Sequence, residues 1–163
     1  RYYARFGFRP VFAREEKLAK AARLPQGFAV RAAGESDLPA MDALYRRACA
    51  GLWHPLRRDG DWKCILRQYG QAARILTGPD GQAAAYALLE EGGENPGATE
   101  AVGTLAPALM AEEAAPRGAL QARWYAPPRC GGEENGCALA LDARGEGILA
   151  GFGGHGYLNV LFN

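Results

Sequence analysis

The chain predicts a mixed α/β (α+β) domain built around one central sheet. Three observations carry this. Two amphipathic helical patterns follow one short strand pattern, a tight hairpin joins two apolar strand runs, and further strand runs follow towards the carboxy terminus. Size and composition agree with it. At 163 residues, with 48% apolar and 23% charged residues, the chain can bury one sizeable core.

The first thirteen residues, RYYARFGFRPVFA, read as the end of a folded unit: a helix foot at Tyr2 and Tyr3, a stop at Gly7, and a strand over Phe8 to Ala13. Arg14 to Gln26 is charged and reads as an interdomain segment, or as a strand edge running into one. The organisation expected is therefore a tail plus linker over 1–25 and a second unit over 26–163.

Within the second unit, Phe28 to Ala32 predicts a strand. Ser36 or Asp37 can cap a helix, with Pro39 tolerated in its first turn. Leu38, Met41, Leu44, Tyr45 and Ala48 recur at helical spacing, and Gly51 stops the run. A second helix starts at Asp59 or Asp61, turns Trp62, Ile65, Leu66 and Tyr69 inward, and ends at Gly70.

Ala73 to Thr77 and Ala83 to Leu89 predict two strands. Gly78-Pro-Asp-Gly81 between them is hairpin chemistry, because Pro presets φ and Gly accepts a positive φ. Glu90 to Gly97 is a polar loop. Thr99 to Ala114 predicts a helix with Val102, Leu105, Leu109 and Met110 inward and a kink or early start at Pro107. Leu120 to Tyr125 alternates as a strand and Pro127-Pro128 closes it. Cys137 to Leu141 and Tyr157 to Phe162 predict the last two strands.

Charge and cysteines narrow the function. A net charge of +1, from 19 basic and 18 acidic residues, gives no electrostatic case for nucleic acid or an anionic membrane. No apolar run approaches the roughly 20 residues of a membrane helix. Cys49, Cys64, Cys130 and Cys137 form no C-x-x-C pair and only two His are present, so no metal site is expected. Cys49 and Cys64 fall in helical patterns and read as small buried apolar residues; Cys130, among Pro and Gly, reads as exposed. Reduced thiols in a cytoplasmic protein follow. The Ala-, Arg- and Gly-rich composition suggests a GC-rich bacterial source. Ser36 is the only serine, which excludes serine-hydrolase chemistry.

Two segments together resemble the GNAT (GCN5-related) N-acetyltransferase superfamily. Tyr3-Ala-Arg-Phe-Gly-Phe-Arg-Pro-Val11 resembles its Y-x-x-x-G-F helix end and strand, and Val30 to Met41 resembles its opening strand and first helix. An end followed by a beginning resembles the tandem, Eis-like type, with a degenerate second domain over 26–163. The resemblance implies a mostly antiparallel central sheet flanked by helices. It also implies acetyl transfer from acetyl-CoA to a small-molecule or peptide amine, with the cofactor bound mainly outside this chain. By the same resemblance Tyr3 is the general acid that protonates the departing thiolate, and the terminal carboxylate of Asn163 is the general base.

The family's pyrophosphate cradle, R/Q-x-x-G-x-G/A at a helix amino terminus, works through backbone N–H groups. The segment read at that place, Glu112 to Ala119, is acidic with a single Gly. Arg144 to Leu149 fails the pattern at its last position. Gly151-x-Gly153-x-x-Gly156 matches a dinucleotide-type loop but is followed by no helix. No cofactor-binding residue is therefore expected in this chain. Glu90, Glu91 and Glu94 form a loop that could face a cationic substrate or simply be solvated. The alternative function is a non-catalytic GNAT-like binding or oligomerisation module, and homo-oligomers stay open.

Overall fold

The computed structural model describes residues 9–52, 54–92, 94–128 and 133–138. Among the described residues, seven strands and three helices form one sheet with helices on both faces. In chain order these are β1 (Arg9–Lys20), β2 (Ala29–Ala32), α1 (Leu38–Ala48), α2 (Asp59–Tyr69), β3 (Ala73–Thr77), β4 (Ala83–Leu89), β5 (Gly97–Gly103), α3 (Ala106–Ala114), β6 (Gln121–Ala126) and β7 (Glu133–Ala138). The sheet order is β2-β3-β4-β5-β6-β1-β7. Every pairing is antiparallel except β5 with β6, which is parallel. The expected α+β class, with a mostly antiparallel sheet flanked by helices, is the one observed.

The hairpin forms as its residues require. Gly78 N–H donates to the Gln82 carbonyl at 2.9 Å, and Gly81 takes φ +75°, which a side chain would strain. Asp37 stands just ahead of α1, but its side chain does not cap that helix. It accepts instead from Gly34 N–H at 2.8 Å and from both terminal nitrogens of Arg31 at 2.6 and 2.7 Å. A bidentate guanidinium outcompetes a free amide for the same oxygens. Arg31, foremost, and then the Gly34 N–H hold the Asp37 carboxyl below the usual carboxylate range against the opposing effect of burial.

Three expectations are corrected. Thr99 to Gly103 is strand, not helix: β5 pairs with β4 to Gly103, and α3 starts only at Ala106 with Pro107 in its first turn. A proline has no N–H for a preceding turn to use, so the helical run could not extend back through it. Cys64 is exposed on α2, whereas Cys49 is buried as expected. The segment Glu112 to Ala119 is no strand-to-helix loop, since it comprises the end of α3 and a 3-10 turn over Ala115–Arg117. At the amino-terminal end, the charged run after Arg14 continues β1 as far as Lys20. There β1 pairs with β6 from Glu15 to Lys20 and with β7 from Arg9 to Arg14. The strand expected from Cys137 runs over Glu133–Ala138 among the described residues, starting four residues earlier.

Two cores result, one on each face. Met41 and Tyr45 of α1, Trp62 and Ile65 of α2, and Ile75, Tyr86 and Leu88 of the sheet form the first. Leu109 and Met110 of α3 pack on Ala85, Ala87, Ala101, Ala122 and Trp124 in the second. Burying side chains of this size stabilises by about 1.5–3 kcal/mol each.

Candidate functional site

Parallel pairing between β5 and β6 covers only Gly97 with Arg123 and Ala98 with Trp124. Beyond that point β5 follows β4 to Gly103, while β6 follows β1 to Ala126. The two strands part, and a cleft of about 420 Å³ opens between them. That volume lies in the range of small-molecule sites. Trp124 of β6 and Pro127-Pro128 form one wall, the end of β5 and the start of α3 another, and α1 reaches over the mouth. Small side chains, Ala83, Ala84, Ala101 and Ala126 among them, keep the space open.

The polar lining is cationic. Lys17 of β1 and Arg47 of α1 border the cleft, and no Asp or Glu does among the described residues. Lys17 is paired to Glu15 at 3.0 Å. On α1 the acid Asp42 is taken by Arg46 at 2.7 Å, and Arg47 has no carboxylate partner among the described residues.

The junction from β5 to α3 is Gly103-Thr104-Leu105. Gly103 takes φ +119°, and a Cβ there would run into the Ala84 carbonyl and the Ala85 backbone. Glu100 to Leu105 reads E-x-x-G-x-L, which keeps the spacing of R/Q-x-x-G-x-G/A but only its first glycine. This is the place the sequence reading assigned to Glu112–Ala119. The signal missed was the glycine at the fourth position, followed by a proline at Pro107.

Acetyl-CoA does not fit this junction. The first position is Glu100, an acid at 0% exposure whose carboxylate is engaged below the sheet. The last is Leu105, which packs against the core under α3. Pro107 removes one of the first-turn N–H groups on which anion binding depends.

Glu100 instead closes a buried network. Arg57, in the segment between α1 and α2, donates to both its oxygens at 2.6 and 2.8 Å, and the Tyr86 hydroxyl donates at 2.6 Å. The guanidinium lies 4.0 Å from the Tyr45 ring centre and 4.8 Å from that of Trp62. Burial opposes the charge on Arg57, but Glu100 outweighs it and raises the pKa, so the pair stays ionised. The same burial pushes the Tyr45 phenol up, and the Cys49 thiol up to about 12 with the Glu100 charge adding to it. Both groups are held in their neutral forms near neutral pH, and the network ties the segment before α2 to the sheet.

The remaining site expectations are placed as follows. Tyr3 and Asn163 lie outside the described residues, as do the glycine runs at 144–149 and 151–156 and the 157–162 strand. Glu90 accepts from Arg123 at 3.0 Å, which gives this acid a structural partner. His54 packs edge-on to Tyr45 with Nδ1 2.9 Å from the Leu52 carbonyl. No group of acidic, His or Cys residues that could hold a metal occurs among the described residues. Among them, too, no helix is long and apolar enough to cross a membrane.

No family model matches the chain, and no curated protein matches it. Solved structures do. A conserved protein of unknown function from Enterococcus faecalis V583, described as a probable N-acyltransferase, superposes with a TM-score of 0.50 at 14% identity over 76% of this chain. A GCN5-related N-acetyltransferase from Kribbella flavida superposes with a TM-score of 0.51 at 16% identity over 84% of it. At such identity the likeness is one of fold, and that fold is GNAT-like. The chain spans 35% and 38% of the length of these two proteins.

Proposed function

We propose that this chain is the carboxy-terminal portion of a tandem, Eis-like GNAT N-acetyltransferase that transfers acetyl from acetyl-CoA to an amine. Residues 1–25 would then be the tail of the catalytic unit and its linker, and 26–163 the degenerate second domain. One observation carries the reading. A GNAT-like sheet retains Gly103 at its strand-to-helix junction, yet Glu100, Leu105 and Pro107 replace what a pyrophosphate needs. The cofactor is accordingly bound by residues outside this chain. Tyr3 serves as the proton donor to the leaving thiolate, and the carboxylate of Asn163 accepts the proton of the amine nucleophile. A phenol of ordinary pKa near 10 can protonate a thiolate whose acid lies near 8.5.

Calorimetry on this chain tests the first half: no acetyl-CoA binding tighter than ~100 µM, about −5.5 kcal/mol, is expected. Kinetics on the longer protein test the second. Tyr3→Phe keeps the ring and removes the donor, so kcat should fall roughly tenfold or more with little change in the amine KM. Unchanged turnover at saturating acetyl-CoA would make Tyr3 a packing residue.

The same cleft favours a second reading, a non-catalytic binding module. It is open, of ligand size and bordered by cations, although its junction is unsuited to the cofactor.

A further inference from the structure

We infer that the β5/β6 cleft binds a small amphiphilic carboxylate, an apolar or aromatic body carrying one anionic end. This rests on the reading above, that the cleft does not take acetyl-CoA. Three independent features of the cleft point to it. The parted strands create a space of about 420 Å³ that no described side chain fills, and alanines on β4, β5 and β6 help to keep it open. Its walls are apolar and partly flat, with the Trp124 ring and the two prolines after β6 on one side. Its charge is of one sign: Lys17 and Arg47 border it, and no acid does among the described residues.

Arg47 gives the anion its place. It stands on the last turn of α1 next to Ala48, and both side chains border the cleft. A guanidinium without a carboxylate partner beside an apolar space is arranged to accept a bidentate carboxylate while the ligand body leaves water. Lys17 already has Glu15 for company and would contribute a second, weaker attraction. An anion bearing two or more phosphates is disfavoured by the junction itself, since Pro107 lacks one of the first-turn N–H donors such groups need.

The test uses 4-phenylbutyrate, its neutral amide and acetyl-CoA as probes of the full chain, read by calorimetry and by amide chemical shifts. 4-Phenylbutyrate should bind saturably with a dissociation constant below about 1 mM and shift the signals of Ala101 to Thr104 and of Trp124. The neutral amide should bind at least tenfold more weakly. Arg47→Met should cause a similar loss, and Ala48→Leu, a helix-compatible exposed substitution that crowds the mouth, should abolish binding while melting temperature stays unchanged. The inference is overturned if phenylbutyrate shows no saturation up to about 5 mM, or if it binds no better than its amide. It is equally overturned if Arg47→Met binds like the parent. Acetyl-CoA separates the two levels of the argument. Its binding here would refute the proposed function and this assignment together, whereas failure of both probes would refute this assignment alone.

Discussion

The two faces of the sheet solve the same burial problem with opposite materials. Under α1 and α2 the core is aromatic and contains an ion pair: Trp62 meets Tyr45 and Tyr86 edge-on at 5.9 and 5.8 Å, and Arg57 lies among them. Under α3 the sheet shows alanines, and Leu109, Met110 and Trp124 supply the bulk. Large rings leave irregular gaps that a satisfied polar network can occupy. Small side chains instead bring helix and sheet together, and leave space only where the strands themselves separate. The first face therefore encloses a polar network, whereas the cleft opens where the strands part, with α1 on one side of it and the start of α3 on the other.

The comparison breaks most visibly at Arg57. Arg57→Met leaves Glu100 buried without its charge partner and should cost about 3–5 kcal/mol in urea unfolding. The double variant Arg57→Met/Glu100→Leu should recover most of that loss. A double variant as unstable as the single one would mean that the ion pair itself, rather than the unpaired acid, matters.

On the other face Gly103→Ala is the matching probe. It adds a Cβ against the Ala84 carbonyl at a left-handed backbone position and should cost about 1–3 kcal/mol or more. A neutral effect would show that β5 can move away from β4 without disturbing α3.

A smaller effect lies at the rim of the aromatic face. The folded-state pKa of Asp37 is lowered, foremost by Arg31. Its contribution to stability is therefore fully present above the unfolded carboxylate value of about 4 and is lost as pH falls through the lower folded value. Asp37→Asn should be less stable than the parent at pH 7, and the gap should narrow as pH drops below about 4. A gap independent of pH would remove the charge from the explanation.

How much was legible follows from what each residue type signals. The hairpin at Gly78–Gly81, both amphipathic helices and the β6 strand were written in local patterns, and local forces suffice to make them. Strand β5 was not. Its residues from Thr99 to Val102 are short and mildly apolar, compatible with either period, and Glu100 stands at a fully buried position that nothing local accounts for. Arg57, 43 residues away in sequence, and the Tyr86 hydroxyl make an acid tolerable there, and no local window contains Arg57 and Glu100 together. The cleft was hidden for a related reason. It arises from two strands that diverge after two paired positions, and divergence is a property of the sheet rather than of either strand. Lys17 and Arg47 meet at it from β1 and α1, and neither carries a motif.

Strand β1 has a consequence for how the protein is made. Residues 9–20 leave the ribosome before any other described strand, yet their partners at 121–126 and 133–138 emerge last. For the time needed to synthesise more than a hundred residues, this twelve-residue segment waits for the two strands it pairs with in this sheet. Translation at about 5–20 residues per second makes that wait several seconds, long compared with hairpin closure in microseconds. Its charges, five of the seven residues from Arg14 to Lys20, are of the kind that guards a strand against pairing with the wrong edge until its partners arrive.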